Sequence, residues 1–340
     1  MRQPMTDRFS PYRFTGGKTA KNRVVVPPMA SQTADERGGA TPATTRHYAR
    51  LAESGAGIVF VEYSFVHPSG KGEENQLGAD SDTNLEGLRE IAGVIHSAGA
   101  LAGLQLVHVG GKSTKAIAGG ELMSPSGVPV PVKGWETDAS VEMSREDIKL
   151  WVRWFTDAAL RAQAAGFDLV ELHAAHGYGL NQWISPLTNK RTDAYGGGMD
   201  GRSRILLEIV ESIKMAAPGL LLAARLPGQD HMEGGLTTAD MGWLVKRLED
   251  MGLALIDVSS GIGGWRRPEG RSGEGYLVND AATLKAFTSL PVIGVGGIET
   301  GGFIDRILGE ERVDFAAVGR AVLKDPLAWG REQLKGRVYV

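Results

Sequence analysis

Near its middle the chain reads HAAHGY, residues 173–178, which sets two of only seven histidines three apart and a tyrosine two places further on. Imidazole and phenol groups donate hydrogen bonds and exchange protons, and imidazole also ligates metals. Three chemistries are open to that spacing. Histidines at i and i+3 can share a metal, although no HExxH occurs and no cysteine exists to complete a zinc shell. Both rings could instead be satisfied by backbone carbonyls. In the third reading His173 and His176 aim two donors at one oxygen and stabilise charge developing on a carbonyl or nitro group, with Tyr178 placed as a proton donor.

Apolar, β-rich runs that could position these groups occur at 24–28, 57–63, 102–108, 169–175, 220–226, 255–261, 291–297 and 315–320. Most are continuous rather than alternating, as expected of parallel strands covered on both faces. Helical periodicity fills the gaps at 44–55, 84–98, 144–165, 202–216, 237–251, 279–288 and 300–311, and a last helix runs from about Asp325 to Leu334. Caps are expected at Asn84, Ser144 (with Asp147 three on), Thr237 and Asn279. Eight strands alternating with eight helices, with no polar linker between halves, predict a single α/β domain over 1–340, a (β/α)8 TIM barrel. After the third strand the stretch 109–143 is too long and too rich in Gly, Pro and Ser for an ordinary βα loop. It is expected to cap the C-terminal mouth of the barrel, as a lid or substrate wall.

Composition narrows the partners. With 340 residues, 42% of them hydrophobic, the chain can bury a large core. A net charge of −3 offers no basic footprint for nucleic acid, and no run approaches the roughly 18 apolar residues of a spanning helix. A soluble, cytoplasmic protein is expected, its partners small molecules or further copies of itself. The absence of cysteine removes disulfides, thiolate metal sites and iron–sulfur clusters. Redox work would need a borrowed cofactor.

Sites on such barrels form where strands end. Strands seven and eight end in GVGGIETGG and AVGRAVL. Paired glycines there let backbone amides approach an anion, and Arg320 adds a bidentate donor, which reads as a phosphate site. A Rossmann fingerprint fits less well, because its third glycine would fall on Glu299. No strand ends in the lysine a Schiff-base aldolase would use.

With these residues in view, the chain resembles the Old Yellow Enzymes, the NADH:flavin oxidoreductases that act as FMN-dependent ene-reductases. The markers are NRVVVPPM (22–29), QLVHVGGK (105–112), HAAHGY through SPLTNKRTDAYGG (173–197), DVSSG (257–261), GVGG (294–297) and VGR followed by DP (318–326). The resemblance implies an FMN-binding barrel reduced by NADPH or NADH. The flavin N5 would pass hydride to the β-carbon of an alkene activated by a carbonyl, nitro or similar group, and Tyr178 would protonate the α-carbon. It implies that Pro28, Met29, Ala30, Tyr63, Gln105 and Arg225 surround the flavin ring, with Arg225 at its N1/O2 edge. It puts Gly296, Gly297, Gly319 and Arg320 at the phosphate, and His173, His176, Tyr178, Lys112 and Gln32 around the substrate. No metal is implied.

Several positions depart from the family pattern. Ala30 stands where relatives carry Cys or Thr, Gln32 where one branch has Tyr, and Tyr63 where a small residue is usual. The chain stops short of relatives whose C-terminal arginine enters a neighbouring subunit's site, a part that Arg337 could play. Relatives that oxidise amines or reduce dienoyl-CoA esters usually need an iron–sulfur cluster. The alternative to an ene-reductase is a flavin-binding barrel with an altered electron acceptor or little turnover.

Overall fold

Each of the eight apolar runs forms a strand: β1 (Val24–Val26), β2 (Ile58–Phe65), β3 (Leu101–Val107), β4 (Leu169–His173), β5 (Leu221–Pro227), β6 (Leu255–Ser259), β7 (Val292–Gly294) and β8 (Phe315–Ala317). The structure is a computed structural model describing residues 6–334, so Arg337 lies outside the described residues. Among these residues the eight strands close into one barrel, each parallel to its neighbours, with β8 pairing back onto β1 through Ala316 and Val24. This is the (β/α)8 TIM barrel. A two-stranded hairpin, Tyr12–Arg13 with Thr19–Ala20, precedes it.

Two apolar layers account for the continuous runs. Outward residues pack under the helices in a large core that includes Trp151, Phe155 and Trp183, all fully buried. Inward residues make a second cluster, with Phe60, Leu169, Ala223, Leu255 and Phe315 filling the lower barrel. Phe14 of the hairpin stacks on Phe315 at 5.9 Å and plugs that end. Burial on both sides leaves no position along a strand for a solvated polar residue. A polar residue on an inward face therefore has to find a partner there.

The principal helices are α1 (Pro42–Ala52), α2 (Leu85–Ser97), α3 (Arg145–Ala164), α4 (Met199–Ala216), α5 (Thr238–Asp250), α6 (Val278–Lys285), α7 (Gly301–Gly309) and α8 (Pro326–Gln333). Ser144 and Thr237 close reciprocal capping boxes with Asp147 and Asp240 at the starts of α3 and α5. Asn84 does not cap α2. Its backbone is already helical, and its amide turns back to the Gly78 carbonyl and Asp80 at 3.3 Å. Asn279 does not cap α6, because it lies inside the helix next to its first residue.

The segment between β3 and α3 carries a short helix, Lys115–Ala118, and a parallel pair, Leu122–Ser124 with Ser140–Glu142. No helix among the described residues is long and apolar enough to cross a membrane.

Candidate active site

β4 ends at His173, and a tight turn returns the chain across the barrel mouth. His176 and Gly177 both adopt left-handed conformations, at φ 62° and 75°. A Cβ on Gly177 would lie 2.6 Å from the Ile262 carbonyl oxygen, so glycine is required there on two counts. The strain at His176 is held by its neighbours: its N–H donates to the Ser260 carbonyl at 3.2 Å, and its Nε2 meets Ser259 Oγ at 2.6 Å. The turn brings three rings together. His173 and His176 stand 5.0 Å apart and nearly perpendicular, and His173 lies 4.9 Å from Tyr178. Tyr63, on β2 beside an irregularity in its pairing, stacks on Tyr178 at 5.3 Å.

All four line one cavity of about 640 Å³, a size usual for small-molecule sites. Around its deep end are Pro28, Met29, Ala30, Gln105 and Arg225, and at its far edge Gly296, Gly297, Gly319 and Arg320. Two residues expected around a substrate are not in its lining. Lys112 is fully buried and donates from Nζ to the His176 carbonyl at 2.7 Å, 4.1 Å above the Tyr178 ring. Gln32 lines an adjacent hollow and donates to Glu73 at 3.1 Å. His108, also at a strand end, lies 4.1 Å from the Trp151 ring, tilted by 30°, beneath α3.

Burial dominates the electrostatics. It lowers both His173 and His176 well below the ordinary imidazole range, helped by the charges of Arg225 and Lys112, so both rings are neutral. Burial also raises the Tyr178 phenol, with the Glu73 charge adding to it and a hydrogen bond with Tyr63 opposing it. Tyr178 therefore holds its proton at neutral pH. Burial lowers the Lys112 ammonium to about 7.

Glu73, Trp135, Trp265, Arg267 and Tyr276 also line the cavity without having been expected there. All lie on loops, where hydrophobic period carries no signal. The readable trace was compositional: tryptophan and arginine side by side in GWRRPEG (264–270), directly after the DVSSG strand end.

The NADH:flavin oxidoreductase / NADH oxidase family model matches residues 7–335. The chain belongs to that family. An NADPH dehydrogenase of Geobacillus thermodenitrificans (strain NG80-2) is 36% identical over 319 residues, covering 94% of this chain and 91% of that protein. The structure of a 2-naphthoyl-CoA reductase in complex with 2-naphthoyl-CoA is similar at TM-score 0.88 and 25% identity; it covers 96% of this chain, which spans 52% of that one. An old yellow enzyme homologue from Zymomonas mobilis has TM-score 0.83 at 24% identity, covering 96% of this chain and 92% of its own, a likeness of fold.

As a member of the NADH:flavin oxidoreductases, the Old Yellow Enzyme family, the chain is an NAD(P)H-dependent flavin oxidoreductase whose cofactor is FMN. The cavity fits that group. At its far edge a Cβ on Gly297 would fall 3.2 Å from the Tyr276 ring and 3.6 Å from Arg320, so the bare backbone leaves room for a phosphate beside the guanidinium. At the deep end Gln105 and Arg225 offer polar contacts to a ring system between apolar walls.

Proposed function

We propose that this flavin oxidoreductase reduces alkenes activated by a carbonyl, nitro or similar group. The observation that carries the proposal is the convergence of His173, His176 and Tyr178 in the cavity that also contains the glycine and arginine edge. FMN, when bound, supplies the hydride chemistry between nicotinamide and alkene.

The chain's own residues then have distinct tasks. Pro28, Met29, Ala30, Tyr63, Gln105 and Arg225 hold the ring, and Gly296, Gly297, Gly319 and Arg320 hold the phosphate. His173 accepts the Ala175 N–H at Nδ1, 3.4 Å away, which leaves its Nε2–H as a donor. His176 Nε2 lies 2.6 Å from Ser259 Oγ; in this reading Ser259 is the donor and the ring keeps its proton on Nδ1. Two neutral donors thus meet the electron-withdrawing oxygen of the substrate and stabilise the charge that grows on it. Tyr178 gives its proton to the α-carbon, the hydrogen bond from Tyr63 offsetting part of the burial that weakens it as an acid. Lys112 acts through the His176 carbonyl rather than on the substrate. Gln32 belongs to the neighbouring hollow. In this reading 109–143 contributes Trp135 to the cavity wall and caps a single barrel domain.

The test is anaerobic. The purified protein is reduced with NADPH, 2-cyclohexenone is added, and the visible flavin absorbance is followed. Bleaching followed by return of colour is expected; colour that stays bleached would assign the barrel a different electron acceptor.

A further inference from the structure

Above the apolar plug the barrel interior holds two carboxyl groups, Glu171 on β4 and Asp257 on β6, each at most 1% exposed. Register brings them level. Glu171 lies opposite Ala223 and Ala223 opposite Leu255, and the stagger of a closed barrel raises the inward residue two places further along β6, Asp257, to the height of Glu171. Each is tied to a cavity residue: Gln105 Nε2 donates to Glu171 Oε2 at 2.6 Å, and Arg225 Nε pairs with Asp257 Oδ2 at 2.8 Å. What remains is one oxygen on each group, Glu171 Oε1 and Asp257 Oδ1, both buried and without a donor from any other residue. Each carboxyl acts on the other, the charge of Asp257 helping to raise Glu171.

Two carboxylates buried at one level of the barrel over an apolar floor, each with an oxygen that no donor reaches, cannot both stay ionised, so the pair must hold a proton. We propose that Glu171 and Asp257 share one proton as the counter-charge of Arg225, and that the pair takes up a second proton when reduction brings negative charge against Arg225 from the cavity side. The coupling rests on the reading of Arg225 as a contact of the cofactor ring. Electrons and protons balance: the nicotinamide's hydride would bring two electrons and one proton to the cofactor, and the second proton, from solvent, would go to the carboxyl pair.

The surroundings leave few rival groups. From β3 the pair meets Gln105, from β5 Arg225, and His173 and Ser259 follow the two carboxyls along their own strands. Leu169, Ala223 and Leu255 lie below. Arg225 is thus the one charged side chain acting on the pair from these strands, and His173 is neutral. Burial, with the charge of Asp257 next in size, raises Glu171 to about 8, so the shared proton is held at neutral pH, and burial raises Asp257 as well, which favours the second uptake.

Two measurements on wild type and Glu171→Gln decide the matter. In the infrared spectrum of the protein as purified, a carboxylic acid band present in wild type should vanish in the variant, while any band of Glu62, a second buried carboxyl that burial raises to about 7, remains; an unchanged spectrum overturns the shared proton whatever the cofactor does. Redox titration from about pH 6 to about pH 9 should give roughly two protons per two electrons in wild type and roughly one in the variant. Equal counts overturn the coupling. If the infrared band behaves as expected but no flavin is bound, the cofactor reading fails and takes the coupling with it, while the shared proton stands.

Discussion

At the scale of single residues the site turns on donors kept neutral by burial. If His173 and His176 stabilise charge on a substrate oxygen, replacing both with alanine should lower turnover by roughly 100- to 1000-fold. Tyr178→Phe should slow reoxidation of reduced flavin by the enone by something like 100-fold while leaving reduction by NADPH intact. Stopped-flow absorbance separates the two half-reactions. Equal slowing of both by Tyr178→Phe would make the tyrosine a packing residue, and unchanged turnover in the double histidine variant would remove the oxyanion role. These three residues were legible because types and spacing alone point to chemistry. Glu171 and Asp257 left a fainter mark, an acidic residue inside each of the apolar runs LVELH and LIDVS. An unsolvated carboxyl in such a run demands a partner, but no spacing rule says that the partner lies two strands away.

At the scale of elements, local rules and tertiary context divide the outcome. α3 spans 20 residues, and Ser144 closes its capping box by accepting from the Asp147 N–H at 3.2 Å while its own N–H donates to Asp147 at 2.8 Å. Ser144→Ala should therefore lower stability by about 1 kcal/mol, read as a drop in the urea unfolding midpoint with the slope unchanged. A null result would mean that packing of Trp151 and Phe155 alone fixes the start of α3. The eight strands were legible because two-sided burial writes an unbroken apolar run. The caps at Ser144 and Thr237 were legible because a capping box is a local pattern. Asn84 and Asn279 have the right residue type, but one is turned to Gly78 and Asp80 and the other lies within a helix already begun. The loop residues Glu73 and Trp135 were not legible, since what gathers them is barrel closure and not any period in their own segments.

Across the whole molecule, burial of titratable groups makes stability depend on pH. His108, fully buried against Trp151, is lowered by burial to about 3, whereas an unfolded histidine titrates near 6.5. Between those values the unfolded chain binds a proton that the folded one does not, so this contribution is whole above about pH 6.5 and is lost as pH falls. The deficit of His108→Gln relative to wild type should accordingly shrink by about 2 kcal/mol between about pH 7 and about pH 5, measured by urea unfolding at each pH. A constant deficit would mean that His108 titrates alike in the folded and the unfolded chain. The plug of Phe14, Phe60 and Phe315 closes the barrel from below, so among the described residues the cavity has no way out through the barrel floor. Whatever enters must leave by the way it came. Reductant and oxidant therefore take turns at one door, and an excess of either should hold the other out, giving an enzyme throttled by its own substrates when both are abundant.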